Sequence, residues 1–143
     1  MRKTGILALG SLIALALPAV AMAGPVMLSA DLDGASETRG GDADGSGHFS
    51  GEIDASSGDV CYILTGADIG KVIAAHIHKG AAGSKGKPVI TLEVTNEDDD
   101  SCVAAEPAVL KPIVLEPGGY YVNIHTADYP KGAVRGQLAK VKD

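Results

Sequence analysis

The chain is 143 residues long, carries 18 acidic against 12 basic side chains for a net charge of −6 with histidine neutral, and is 45% hydrophobic. That length supports one domain with one core and is too short for two. The acidic balance argues against nucleic acid or an anionic membrane surface as a partner and suits a cationic ligand better.

The chain opens on basic Arg2 and Lys3, runs apolar from Ile6 to Val20, and then presents Ala21-Met22-Ala23. A basic start, an apolar stretch and a small-x-small site predict a cleavable export signal over residues 1–23, with Gly24 as the mature terminus. An uncleaved anchor fits less well, because Ser11 and Pro18 interrupt a run already short of the roughly 20 residues that a span requires. No later segment is long and apolar enough to cross a bilayer, and the residue directly after the cleavage site is Gly24 rather than a cysteine that could take a lipid. The expected product is therefore a secreted or periplasmic domain over residues 24–143. Cleavage removes two basic residues and no acidic one, leaving ten against 18 and a net charge of −8.

Beyond the signal, Gly, Asp, Asn, Ser and Pro recur between short runs rich in Val, Ile, Tyr and Thr, the pattern of an all-β domain. Strands are predicted over Val26–Glu37, Gly47–Asp54, Asp59–Gly66, Val72–His78, Val89–Val94, Tyr120–Thr126 and Val134–Val141. About seven short strands suggest a Greek-key β-sandwich or barrel. Between them, Asn96 to Asp100 reads as a solvated acidic loop, since its carboxylates repel one another. Pro107 to Leu115 is ambiguous: Val109, Leu110, Ile113 and Val114 fit helical spacing, while Pro112 disturbs a helix interior, so a helical turn or a bent strand both fit.

The two cysteines, Cys61 and Cys102, lie in the exported part of the chain, where oxidising conditions favour a disulfide. The alternative, free thiols serving as metal ligands or a redox pair, lacks close C-x-x-C spacing.

Several segments carry potential chemistry. Asp42-Ala43-Asp44-Gly45-Ser46-Gly47 begins like a calcium loop, but position 12 is Ile53 rather than the bidentate Glu, so a polar turn is the better reading. In Ala74-Ala75-His76-Ile77-His78-Lys79-Gly80, a strand places His76 and His78 on one face and Ile77 on the other. His125, in Tyr120-Tyr121-Val122-Asn123-Ile124-His125-Thr126, completes a three-nitrogen site if the two strands are neighbours. Three imidazoles with no thiolate suit copper or zinc. The competing reading has these histidines hydrogen-bonding carbonyls and loops. His48 is a possible fourth ligand, more simply a surface residue. No G-x-S-x-G elbow is present, and Gly80 to Gly86 lies between strands without the helix that a phosphate loop needs.

The segments Ala75-His76-Ile77-His78-Lys79-Gly80-Ala81-Ala82-Gly83, Gly86-Lys87-Pro88-Val89, Tyr121-Val122-Asn123-Ile124-His125-Thr126 and Pro130-Lys131-Gly132-Ala133-Val134-Arg135-Gly136-Gln137-Leu138 closely resemble the CHRD domain family. That family is named for chordin, an extracellular antagonist of bone morphogenetic proteins, and includes single-domain secreted bacterial proteins. The resemblance implies an extracytoplasmic β-sandwich or barrel, with His76, His78, Asn123, His125, Arg135 and Gln137 at signature positions. It implies little about activity, and growth-factor binding does not transfer on fold alone. Asn123 and Arg135 also read as residues that tie strands and loops together. Lys87 departs from the Asn/Gly-Pro turn commoner in the family.

Three functions follow. The first is an exported, non-enzymatic protein binding copper or zinc through its histidines. The second is a cell-envelope interaction or structural module, partnered by another extracytoplasmic protein, whose histidines are only structural. The third is a superoxide dismutase-like metalloenzyme, disfavoured because four histidines are too few for a two-metal site.

Overall fold

The computed structural model describes residues 24–95 and 97–142; the anticipated signal, residues 1–23, lies outside them. Among the described residues, nine strands form one antiparallel sheet: β1 (Val26–Asp33), β2 (Ser46–Asp54), β3 (Asp59–Ala67), β4 (Val72–Lys79), β5 (Pro88–Leu92), β6 (Ser101–Ala104), β7 (Tyr120–Thr126), β8 (Val134–Gln137) and β9 (Ala139–Lys140). The spatial order is β5-β4-β7-β8-β1-β2-β3-β6, and β9 pairs with β1. Just past β5 the chain reaches β3, where the Thr95 N–H donates to the Leu64 carbonyl at 2.7 Å. The Tyr62 hydroxyl also accepts from the Glu93 N–H at 2.9 Å. These contacts bring the two ends of the sheet together into a nearly closed barrel.

Strand alternation fills the interior. Leu28, Ala30 and Leu32 on β1, Phe49 and Ile53 on β2, Val60, Tyr62 and Leu64 on β3, Ala75 and Ile77 on β4, and Val122 and Ile124 on β7 all point inward and are buried. Burying such side chains is worth about 1.5–3 kcal/mol each relative to exposure. The alternate residues of the same strands necessarily face outward.

The expected strands are present with shifted limits. The first ends at Asp33 rather than Glu37, because the Asp33 carboxylate accepts the Ser36 N–H at 2.7 Å and the Gly34 carbonyl accepts the Glu37 N–H at 3.2 Å, closing a turn. The last divides at Leu138 into β8 and β9. The short β6 follows the exposed acidic residues Glu97 to Asp100 and pairs in register with β3, with Cys61 opposite Cys102. Those two cysteines form the expected disulfide, with Cα atoms 4.1 Å apart.

Residues Pro107–Leu115 are an α-helix, α1, which resolves the ambiguity over that segment. Pro107 occupies the first turn, where its missing N–H is harmless and its fixed φ suits the helix. Pro112 removes one interior hydrogen bond. It sits on the exposed side, while Leu110 and Ile113 on the opposite side are fully buried and anchor the helix on the barrel. A 3-10 turn, Pro117–Gly119, leads into β7. No helix among the described residues is long and apolar enough to cross a membrane.

Candidate metal centre

β4 and β7 are direct neighbours, with Ala75 opposite Ile124, His76 opposite Asn123, Ile77 opposite Val122 and His78 opposite Tyr121. Since Ile77, Val122 and Ile124 face the core, His76, His78, Tyr121, Asn123 and His125 share the outer face. β8 extends this face with Arg135, opposite Asn123, and Gln137, opposite Tyr121. Two register irregularities bracket the group: one between Ile77 and His78 against β5, the other between Val72 and Ala74 against β7. Bulges of this kind re-aim side chains, and they recur beside functional sites.

The three imidazoles converge. Ring centroids are 5.3 Å apart for His76 and His78, 5.2 Å for His76 and His125, and 6.3 Å for His78 and His125. One potential ligand atom from each lies within 4.8 Å of the other two, so the three could hold a metal ion. Backbone carbonyls orient two of the rings: Nδ1 of His78 donates to Gly86 at 2.9 Å and Nδ1 of His125 to Pro130 at 3.1 Å. In the neutral ring, a proton on Nδ1 leaves the lone pair on Nε2. Both Nε2 atoms are buried without a protein partner, as is Nδ1 of His76. Carbonyl acceptors behind ligating imidazoles are the usual means of fixing tautomer and ring orientation at metal centres.

Burial lowers the pKa of His76, and the nearby positive charges of His125 and His78 act in the same direction. Burial likewise dominates the lowering for His78; its bond to Gly86 and the Asn123 side chain oppose it, while His125 and Arg135 reinforce it. Asn123 Oδ1 and the His78 Nε2 lone pair are both acceptors, so the Asn123 effect operates through the imidazolium form alone. Both histidines are thus held toward the neutral state that a metal ligand requires.

The loop from Gly80 to Lys87 folds over this face and is fixed by β8. Arg135 is 2% exposed. Its Nη1 donates to the Ser84 carbonyl at 2.6 Å, and its Nη2 to the Ala81 carbonyl at 2.9 Å and to Gln137 Oε1 at 3.1 Å. Gln137 Nε2 donates in turn to the carbonyls of Gly80 at 3.1 Å and Gly118 at 2.9 Å. Gly86 has no room for a side chain, since a Cβ there would overlap the Lys79 carbonyl. The loop that supplies the His78 hydrogen bond is therefore held on both sides.

Glu37, read from the sequence as the end of a strand, instead sits on the loop after β1 and reaches the same face. Burial raises its carboxyl pKa, against the opposing effects of a hydrogen bond with Asn123, the charges of Arg135 and His125, and the Thr38 backbone. Nothing in the local sequence singles it out. Tyr121 has no chemical role legible in its strand motif, yet its ring contacts both His78 and Arg135.

His48 lies apart, on β2, paired with Asp31 at 2.8 Å on the outside of the β1–β2 ladder. Asp42 to Gly45 is a polar turn leading into β2: the Asp42 side chain accepts the Asp44 N–H at 3.3 Å, and its carbonyl accepts the Gly45 N–H at 3.1 Å.

The chain is thus a nearly closed antiparallel β-barrel with a three-histidine cluster on its outer wall. The family model for the CHRD domain matches residues 28–138, and the chain belongs to that family. No curated protein and no solved structure matches it.

Proposed function

We propose that this is an exported, non-enzymatic CHRD-domain protein that binds a single copper or zinc ion through His76, His78 and His125. The observation carrying this reading is the convergence of three buried imidazole nitrogens that have no protein partner. An all-nitrogen donor set suits Cu(II) or Zn(II), and the acidic surface favours approach of a cation. The basic-apolar start with Ala21-Met22-Ala23 supports export, and so does the Cys61–Cys102 disulfide. N-terminal sequencing of the secreted product, beginning at Gly24, would check it.

Isothermal titration of the purified protein with Cu(II) and Zn(II) near neutral pH tests the metal reading. One ion per chain is the expected outcome, with binding lost in a folded His76→Ala/His78→Ala variant. No binding tighter than millimolar would overturn it. The hydrogen bonds from His78 and His125 to loop carbonyls favour a second reading, an envelope module that docks another extracytoplasmic protein and uses these rings only to hold loops. That reading predicts no response to metal.

A further inference from the structure

Among the described residues, every buried side-chain nitrogen or oxygen without a hydrogen-bond partner lies in this one patch. They are Nδ1 of His76, Nε2 of His78 and of His125, Oδ1 of Asn123 and Oε1 of Glu37. A metal ion accounts for the three nitrogens. It leaves the two oxygens, and Glu37 is outside the group of atoms that lie within 4.8 Å of one another.

Both oxygens are acceptors, and neither receives a hydrogen bond from any donor among the described residues. The Asn123 amide hydrogen-bonds the Glu37 carboxylate. The Arg135 guanidinium donates through Nη1 and Nη2 to two loop carbonyls and to Gln137. Buried acceptors left without a donor are costly, so this pair calls for a ligand that brings protons.

The carboxylate is also positioned rather than dangling. The turn after β1 sets its backbone, and Gly132, at a φ of 128°, leaves the space it occupies, since a Cβ there would overlap it. Beside it lies a solvent-open cavity of about 360 Å³, lined by Glu37, Thr38, Gly83 and Arg135 among others.

Three imidazole ligands leave the fourth position of a four-coordinate ion open, whether zinc or copper. We propose, resting on the metal reading above, that Glu37 and Asn123 hold a water molecule in that position and disfavour bare anions there. A water on a cation is a double donor with strengthened acidity, and two donors meet two acceptors. A bare anion offers no proton to either oxygen and meets the Glu37 charge. Glu37 is a positioning residue for that solvent molecule, and it also lines the solvent-open cavity.

The test uses the whole protein loaded with Cu(II), after a titration has established uptake. Water-proton relaxation should show one rapidly exchanging inner-sphere water in the wild type. Azide, followed by its charge-transfer band to copper, should bind weakly to the wild type. In Glu37→Gln it should bind at least about fivefold more tightly, the scale of one screened unit-charge interaction, with copper stoichiometry unchanged. Copper bound with no inner-sphere water, or equal azide affinity in the two proteins, overturns the water position while leaving the metal reading intact. Failure to take up either Cu(II) or Zn(II) in that titration overturns both. The relaxation measurement needs no variant, so a misfolded Glu37→Gln protein does not spare the proposal.

Discussion

His78 and Tyr121 lie face to face across the β4–β7 ladder, with ring planes 3° apart and centroids separated by 4.8 Å. The same tyrosine ring carries the Arg135 guanidinium 3.4 Å from its centroid. An imidazole of the three-histidine cluster is thereby coupled, through one aromatic ring, to the residue that anchors the covering loop. Tyr121→Phe keeps the stack and loses only the hydroxyl that accepts the Gly86 N–H at 3.3 Å, so its cost should stay within about 1 kcal/mol. Tyr121→Ala removes the ring that aligns His78 and should cost about 3 kcal/mol in denaturant unfolding. It should also weaken copper or zinc binding about tenfold or more, as lost support behind a ligand does.

Arg135 sits at the centre of a buried polar array, and its removal strands two loop carbonyls and the Gln137 side chain. Arg135→Met, which preserves much of the apolar stem, should lower stability by about 3 kcal/mol. Amide exchange should accelerate over residues 80–87 in particular, while the β1–β2–β3 ladders keep their protection. Uniform acceleration across the barrel would contradict the assignment of Arg135 as the loop's anchor.

The titrating groups act on stability with opposite signs. His76 and His78 have folded pKa values below 6.5, so the unfolded chain takes up their protons first, and stability falls as pH drops below about that value. Glu37, raised above 4.5, works the other way: its contribution is complete below 4.5 and is lost as pH rises through its folded value. The metal-free protein should therefore melt at lower temperature at pH 5 than at pH 7. The loss should be steeper in Glu37→Gln, where the compensating carboxyl is gone, and shallower in His76→Ala/His78→Ala. Thermal melts across that range give the comparison directly.

The disulfide joins β3 to β6 across 41 residues of sequence, away from the β4–β7–β8 face. Replacing both cysteines with serine should cost about 4 kcal/mol in the chain-entropy treatment of a loop of that length. Metal stoichiometry should be unchanged as long as the variant is folded. A simultaneous loss of metal binding would show that the barrel wall depends on β6 more than its pairing indicates.

The strand pattern was legible because alternation has a fixed period. Val72 to His78 announced both its inward Ile77 and its outward His76 and His78, and Tyr120 to Thr126 did the same for His125. The pairing of those two strands was not legible, because 40 residues separate them and only the fold determines which edges meet. β6 escaped notice because Ser101–Ala104 is only four residues long and follows an acidic loop. The α1 segment stayed ambiguous because Pro112 weighs against a helix interior, and burial of Leu110 and Ile113 outweighs it. Glu37 was invisible for a different reason: a lone carboxylate in a Ser/Thr loop has no pattern, and its role arises from Gly132, Asn123 and Arg135, about 85 to 100 residues further along.

The third histidine lies on β7, whereas the H-x-H pair lies on β4, and residues 80–119 must be threaded between them before the two strands pair. His76 and His78 alone offer a growing chain no more than a weak two-nitrogen grip. The full triangle exists only after long-range pairing is complete. Any ion that these imidazoles could hold would consequently be taken from the surroundings in which the chain completes its fold.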